Sequence, residues 1–180
     1  MGKILNAYRQ SYCLKRDIHS DFFAAMENLY DSDEVQSLDK FVQHADISRL
    51  QHITSVSYIS FLVSRKLGLD EKATAKGAIL HDLFYYDWHA KDDGSHRLHG
   101  YRHPGFALKN ARVLCENGLS KKEEDIIYKH MWPLTVRLPR YPESFIVSMA
   151  DKYCATWELI ISVIPSAAKR HKEFLAQHAE

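Results

Sequence analysis

The sequence predicts an all-α fold, a single-domain bundle of about six to eight helices with no sheet. The first observation behind it is that Gly (7) and Pro (5) make up only 12 of 180 residues. The usual share is roughly 12%, and the deficit excludes collagen-like, linker-rich and most turn-rich all-β chains. The second is that apolar residues recur at intervals of three and four almost throughout, the period of a helix face. The third is that residues able to cap helices stand where those runs begin. Hydrophobic residues make 46% of the chain and charged ones 26%, which describes a folded, soluble chain and excludes intrinsic disorder. Lys and Arg (24) nearly cancel Asp and Glu (23), leaving a formal charge of +1. No field of that size recruits a nucleic-acid polymer or a membrane surface, so the expected partner is a small molecule.

The elements follow in order. Asp21 is placed to cap a helix carrying Phe22, Phe23, Met26 and Leu29, and Ser32 to open another through Val35, Leu38 and Val42. From Ser48, the residues Ile53, Val56, Ile59, Ser60 and Val63 predict a helix that ends near Gly68, a natural C′ residue. Asp70 caps the next, through Ala73, Ala75, Ala78 and Ile79 to the pair His81-Asp82. Tyr86 to Arg102 reads as an irregular loop, polar and without apolar period. His103-Pro104 then opens a helix with Pro104 at its first position, running through Phe106, Ala107, Ala111, Val113 and Leu114 to Gly118. Ser120 with Glu123 makes a capping box for a helix bearing Ile126, Ile127 and His130, which Pro133 stops. After a basic, proline-rich connection at 137–142, Glu143 to Ile164 reads as the longest apolar helix, and Ser166 to Glu180 as a polar helix or fraying tail. The chain thus divides into N-terminal helices (1–47) packed on a core (48–164), followed by a terminal helix or tail (165–180), all in one domain.

Cys13, Cys115 and Cys154 are odd in number and form no CxxC pair, so buried free thiols and a cytoplasmic location are expected. The N-terminal residues contain no apolar stretch of signal-peptide length, and Asn6 stands where a myristoylation motif requires Ser or Thr. The apolar run Leu159 to Ile164 is far short of the roughly 20 residues that span a bilayer.

Chemistry enters through polar residues on apolar faces. His19, His44, His89, His171 and His178 read as surface residues. His52, His81, Asp82, His130 and Asp151 instead interrupt or end apolar helical faces, where an ionisable group loses hydration and must find a partner. Asp151 lies among Ile146, Val147, Met149, Ala150, Tyr153, Cys154 and Ala155. An unpaired carboxylate there would cost several kcal/mol, which a metal or a buried hydrogen-bond network would offset. Imidazoles and carboxylates together suit Zn, Fe, Mn, Co or Ni.

The succession His52, His81-Asp82, His103, His130, Asp151 resembles the H…HD…H…H…D signature of the HD-domain metal-dependent phosphohydrolase superfamily. The resemblance covers roughly Arg49 to Glu158, with about 20 to 30 residues between successive elements, as a helical bundle requires. It implies an HD-type helical bundle holding one or two divalent transition-metal ions. His52, His81, Asp82 and Asp151 would hold the first, and Asp82, bridging, with His103 and His130 the second. Arg49 matches a frequent arginine of the first motif helix. Cyclic-dinucleotide phosphodiesterases of this superfamily carry a lysine soon after the HD pair and a GYP motif, whereas here Asp82 precedes Leu83-Phe84-Tyr85-Tyr86-Asp87.

The activity so implied is hydrolysis of a small phosphoester, a nucleotide or sugar phosphate, by a metal-bound hydroxide. Non-bridging phosphate oxygens need cations, and Arg49, Lys129, Lys152, Arg97, Arg102, Arg137 and Arg140 are the pool. Arg49 and Lys152, each within three residues of a ligand, are the expected catalytic partners of Asp82. The aromatic run Phe84 to Trp88 is a candidate pocket wall, and His96 and His99 are candidate proton donors to the leaving group. Two alternatives share the ligand pattern: an HD-fold mixed-valent di-iron oxygenase that cleaves C–H or C–P bonds, and a non-catalytic metal-binding regulatory module.

Overall fold

Side chains that satisfy helix ends set most of the boundaries. Ser32, Ser48, Asp70 and Ser120 each accept a hydrogen bond from the backbone N–H three residues on, relieving one of the unpaired donors of a first turn. At Ser120 the box closes both ways, because Glu123 accepts from the Ser120 N–H at 2.6 Å. Gly68 adopts φ +68° just after the helix that Ser48 opens, a backbone conformation that costs glycine little. The computed structural model describes residues 2–44, 47–90 and 98–178.

In chain order the elements are α1 (Gly2–Gln10), α2 (Ser20–Ala25), α3 (Asp33–Gln36), β1 (Val42–His44), β2 (Ile47–Ser48), α4 (Arg49–Lys66), α5 (Glu71–Leu80), α6 (His99–Leu114), α7 (Lys121–Lys129), α8 (Pro142–Val163) and α9 (Pro165–His178), with single 3-10 turns at Leu29–Asp31 and Ser37–Lys40. The fold is all-α and a single domain, with nine α-helices among the described residues rather than six to eight. The addition is α1, which the spacing did not mark; α2 and α3 were expected and are shorter than the spacing suggested.

Helix α4 runs through the middle. Residues His52 to Phe61 are buried without interruption, as expected of a helix enclosed on all sides. Its serines make that enclosure close: Ser57 Oγ donates to the Ala75 carbonyl of α5 at 2.9 Å, and Ser55 Oγ lies 2.7 Å from Ser11 Oγ. Helices α5 and α8 pack along it, α7 lies on α5 and α8, α6 lies on α7, and α1 and α9 close the far end. Among the described residues no helix is long and apolar enough to cross a membrane.

Several expectations need correction. The helix expected from Ser32 through Val42 stops at Gln36, and Val42 enters a small antiparallel hairpin, β1 on β2, paired Val42 with Ser48 and His44 with Ile47. The absence of any sheet was therefore wrong, and the expected boundary between 47 and 48 cuts through β2. The Arg49 N–H, which donates to the Phe41 carbonyl at 2.8 Å, ties the hairpin's base. Asp21 is not a cap, since α2 begins one residue earlier. Helix α6 begins at His99, so Pro104 lies inside it. The extra turn is held by His103 Nδ1 on the His99 carbonyl at 2.9 Å and by the stacking of the two rings, 4.5 Å apart. Helix α7 ends at Lys129, before Pro133 could stop it. Val113 is 78% exposed, because α6 turns Ala107 and Ala111 inward and Val113 falls on the opposite side. His171, expected at the surface, is buried, with ring contacts to Tyr8 and Tyr12 where α9 crosses α1.

Candidate metal centre

Five elements deliver ring nitrogens and carboxyls to one place. Helix α4 supplies His52, the end of α5 supplies His81 and then Asp82, α6 supplies His103, the end of α7 supplies His130, and the middle of α8 supplies Asp151. All six are buried. His52 Nε2 lies 3.2 Å and His81 Nε2 3.9 Å from Asp151 Oδ1. On the other side, Asp82 Oδ1 lies 3.1 Å from His103 Nε2 and 3.5 Å from His130 Nε2, while Asp82 Oδ2 lies 3.6 Å from His81 Nε2. Among the described residues three overlapping groups could each hold a cation, His44 with His52 and Glu158, His52 with His81 and Asp151, and His81 with Asp82 and His130. Asp82 turns one oxygen towards His81 and the other towards His103 and His130.

Backbone carbonyls set the state of the rings. His81 Nδ1 faces the Ala78 carbonyl at 2.7 Å, His103 Nδ1 that of His99 at 2.9 Å, and His130 Nδ1 that of Ile127 at 2.8 Å. A carbonyl only accepts, so each Nδ1 carries a hydrogen, and a ring in its neutral form turns an Nε2 lone pair inward. Two of these carbonyls belong to the last turns of α5 and α7, where helix acceptors have no intrahelical partner. His103 Nε2 and His130 Nε2 then face each other at 2.7 Å, lone pair against lone pair unless something positive is shared between them. His81 Nε2 and Asp82 Oδ1 are buried without a hydrogen-bond partner. These orphaned atoms, together with the donor set of imidazole nitrogens and carboxylate oxygens, fit a first-row divalent metal ion.

The electrostatics favour the same occupant. Burial alone would raise the Asp82 carboxyl, but His81, His103 and His130 outweigh it and hold it well below its ordinary range. Asp151 is likewise held low against its burial by His52, Lys152 and His81. Burial and the neighbouring imidazoles push His130 down to about 3, keeping its lone pair free. His52 goes the other way: burial would lower it, yet Glu158 and Asp151 raise it well above its ordinary value. Its Nδ1 lies 2.9 Å from Glu158 Oε1, the carboxylate-on-histidine arrangement that orients a ligand ring and strengthens it as a donor.

Above these groups opens a cleft of about 410 Å³ walled by Gln43, His44, Trp88, Met131, Lys152 and Ala155. Lys152 Nζ bends back to donate to the His130 carbonyl at 2.7 Å and to Asp151 Oδ2 at 3.2 Å, and so stands at the cleft. Arg49 does not reach it. The guanidinium is fully buried and donates to Gln43 Oε1, the Phe84 carbonyl and the Tyr86 carbonyl, so the expectation that it touches phosphate is replaced by a role inside the wall. Burial lowers it to about 10, still charged at neutral pH. Lys129, Arg102, Arg137 and Arg140 stay away from the cleft; Lys129 pairs with Asp125, while Arg102 and Arg137 lie over Phe106 and Tyr128. Arg97 and His96 lie outside the described residues. Of the aromatic run, Phe84 is core, whereas Trp88 lines the cleft with a buried indole N–H that has no hydrogen-bond partner. His99 also lines it, stacked between Trp88 at 5.3 Å and His103 at 4.5 Å.

Sequence reasoning missed Glu158, Gln43 and His44. Glu158 had a legible signal: with Asp151 and Cys154 it forms an i, i+3, i+7 stripe, all buried on one face of α8. His44, read as a surface residue, packs edge-on against His52 at 5.6 Å and lines the cleft. A bulge between Val42 and His44 breaks the strict alternation of the strand, which lets consecutive residues Gln43 and His44 both face the site. No family model, no curated protein and no solved structure matches the chain.

Proposed function

We propose that the protein is a metal-dependent phosphohydrolase of the HD superfamily acting on a small phosphoester, a nucleotide or sugar phosphate, in the cytoplasm. The observation that carries this reading is the convergence of inward lone pairs, above all His103 and His130 Nε2 at 2.7 Å across from the orphaned Asp82 Oδ1. His52, His81, Asp82 and Asp151 would hold one divalent ion, and Asp82, His103 and His130 a second. Such ions, when bound, lower the pKa of water and neutralise developing phosphoryl charge. Lys152 Nζ binds non-bridging oxygens at the mouth. Met131, Ala155 and the face of Trp88 exclude bulk water and pack on the apolar part of the ester. His99, whose Nδ1 meets the Tyr86 hydroxyl at 2.9 Å, lines the same cleft.

The cleft of about 410 Å³ admits a small molecule rather than a nucleic-acid polymer, and the formal charge of +1 supports the same choice of partner. The three free cysteines suit a reducing compartment. The test is the elemental content of protein purified with and without air, followed by a panel of phosphomonoesters with the native metal restored. One or two first-row ions per chain with turnover of a small phosphoester is the expected result. Failure to bind any such ion would refute the reading, and a coupled di-iron paramagnetic signal without phosphoester turnover would replace it with the oxygenase.

A further inference from the structure

We infer that Gln43, anchored by Arg49, is a positioning residue that fixes the plane of the Asp82 carboxylate so that one oxygen faces each half of the metal centre. The inference rests on the metal-dependent reading above and adds to it a residue pair outside the ligand set. Arg49 Nε donates to Gln43 Oε1 at 2.8 Å, so the amide must turn its Nε2 the other way, where it donates to Asp82 Oδ2 at 2.7 Å. The guanidinium itself cannot swing: Nη1 donates to the Phe84 carbonyl at 2.7 Å, Nη2 to the Tyr86 carbonyl at 3.2 Å, and Cζ lies 3.6 Å from the centre of the Phe84 ring. Gln43 is 6% exposed and Arg49 not at all, so water does not compete for these bonds.

The aspartate χ2 torsion is soft, and nothing intrinsic to the side chain fixes the angle of its carboxylate plane. Here the Gln43 N–H holds Oδ2 on the His81 side. That leaves Oδ1, the atom without a hydrogen-bond partner, turned towards His103 and His130. The second ion would have only that oxygen and two imidazoles, whereas the first would have His52, His81 and Asp151 in addition to Asp82. Loss of the Gln43 bond should therefore fall mainly on the second ion. The hairpin acquires a purpose: it is the element that carries the donor, and the bulge between Val42 and His44 aims it.

The experiment is calorimetric titration of chelator-treated protein with Mn²⁺, comparing the parent with Gln43→Leu, Arg49→Lys and the double variant, with circular dichroism and melting curves on the metal-free forms. Gln43→Leu keeps the bulk and removes the donor. The expected result is a second-site affinity weakened about 10–100-fold, the range for lost outer partners of metal ligands, with the first site changed much less. Arg49→Lys should do the same, and the double variant should be no worse than either single one, since both break one chain of bonds. Folded Gln43→Leu with parental binding at both sites would overturn the inference, as would additive losses in the double variant. If Arg49→Lys does not fold, Gln43→Leu alone decides. A parent that binds no Mn²⁺, Zn²⁺ or Fe²⁺ would sink the metal-dependent reading itself, a result distinct from a two-site parent unaffected by Gln43→Leu.

Discussion

Glu158 and Asp82 show how one carboxyl can serve a neighbour and another an ion. Glu158 is fully buried and hydrogen-bonds the Nδ1 side of His52, so its effect on a cation bound at His52 Nε2 would pass through that ring. Glu158→Gln keeps the shape and removes the charge. Metal affinity at the His52 side should fall by about 10–100-fold, measured by titration of the metal-free protein. Asp82→Asn would act directly on an ion held there. It should abolish turnover of whatever phosphoester the parent hydrolyses while leaving the helical circular dichroism intact. In chelator the variant should melt lower than the parent, because the folded metal-free chain stabilises the Asp82 carboxylate through the surrounding imidazoles and the Gln43 N–H. Near-parental turnover of Asp82→Asn with two ions bound would contradict the shared-carboxylate arrangement.

At the scale of elements, the site depends on how closely α5 and α7 approach, since their last residues present His81 and His130. Gly77 sets that distance: a Cβ built there would meet Ile126 side-chain atoms of α7 at 2.8–3.0 Å. Gly77→Ala should thus destabilise by about 1–3 kcal/mol, the usual effect of overpacking a closed contact, and should displace His130 relative to His81. Denaturant unfolding and metal stoichiometry would read the two effects separately. The α7 start is less coupled to the site. Ser120→Ala removes half of the capping box and should cost about 1 kcal/mol without changing the metal content. A loss of metal in Ser120→Ala would mean that α7 frays as far as His130.

Across the whole molecule, charge networks on the side away from the cleft tie the bundle together. Lys122 of α7 reaches Asp70 at 3.2 Å and Glu143 at 2.8 Å, joining the starts of α5, α7 and α8. Burial disfavours the charged form of each carboxyl, but hydrogen bonds outweigh it: Ala73 N–H and Lys122 for Asp70, Lys122 first for Glu143, and Lys129 with the Arg140 N–H for Asp125. All three are held below their ordinary values. Their stabilisation is complete above the unfolded-chain values near about 4 and is lost as pH falls through the lower folded ones. Thermal melting from pH 6 down to pH 3 should show falling stability, with a shallower fall in Glu143→Gln. An equal slope in the variant would remove this network from the acid response. Saturating metal acts in the opposite sense, because an ion held only by the folded chain raises stability by about 4 kcal/mol at 1,000 times its Kd. Chelation should lower the melting temperature accordingly.

Local chemistry made most helices legible. Ser48, Gly68, Asp70 and the Ser120–Glu123 pair act within one turn, so their consequences are visible in neighbouring residues alone. The polar residues on apolar faces were legible for a similar reason: burying His52, His81, Asp82, His130 or Asp151 unpartnered is too costly to be incidental, and the structure places all five in one cluster. What depends on distant partners was hidden. The hairpin at Val42 to Ser48 overrides a helical spacing because Gln43 finds Asp82 and Arg49 finds Phe84, contacts 39 and 35 residues apart. Arg49 looked like a phosphate contact because its type and position permit that, and only burial against Phe84 makes it a wall residue. His44, His171 and Glu158 owe their surroundings to elements on the far side of the chain. Periodicity and capping energies are local and can be read along the chain, whereas which polar groups lose their water is decided only when helices separated by a hundred residues pack together.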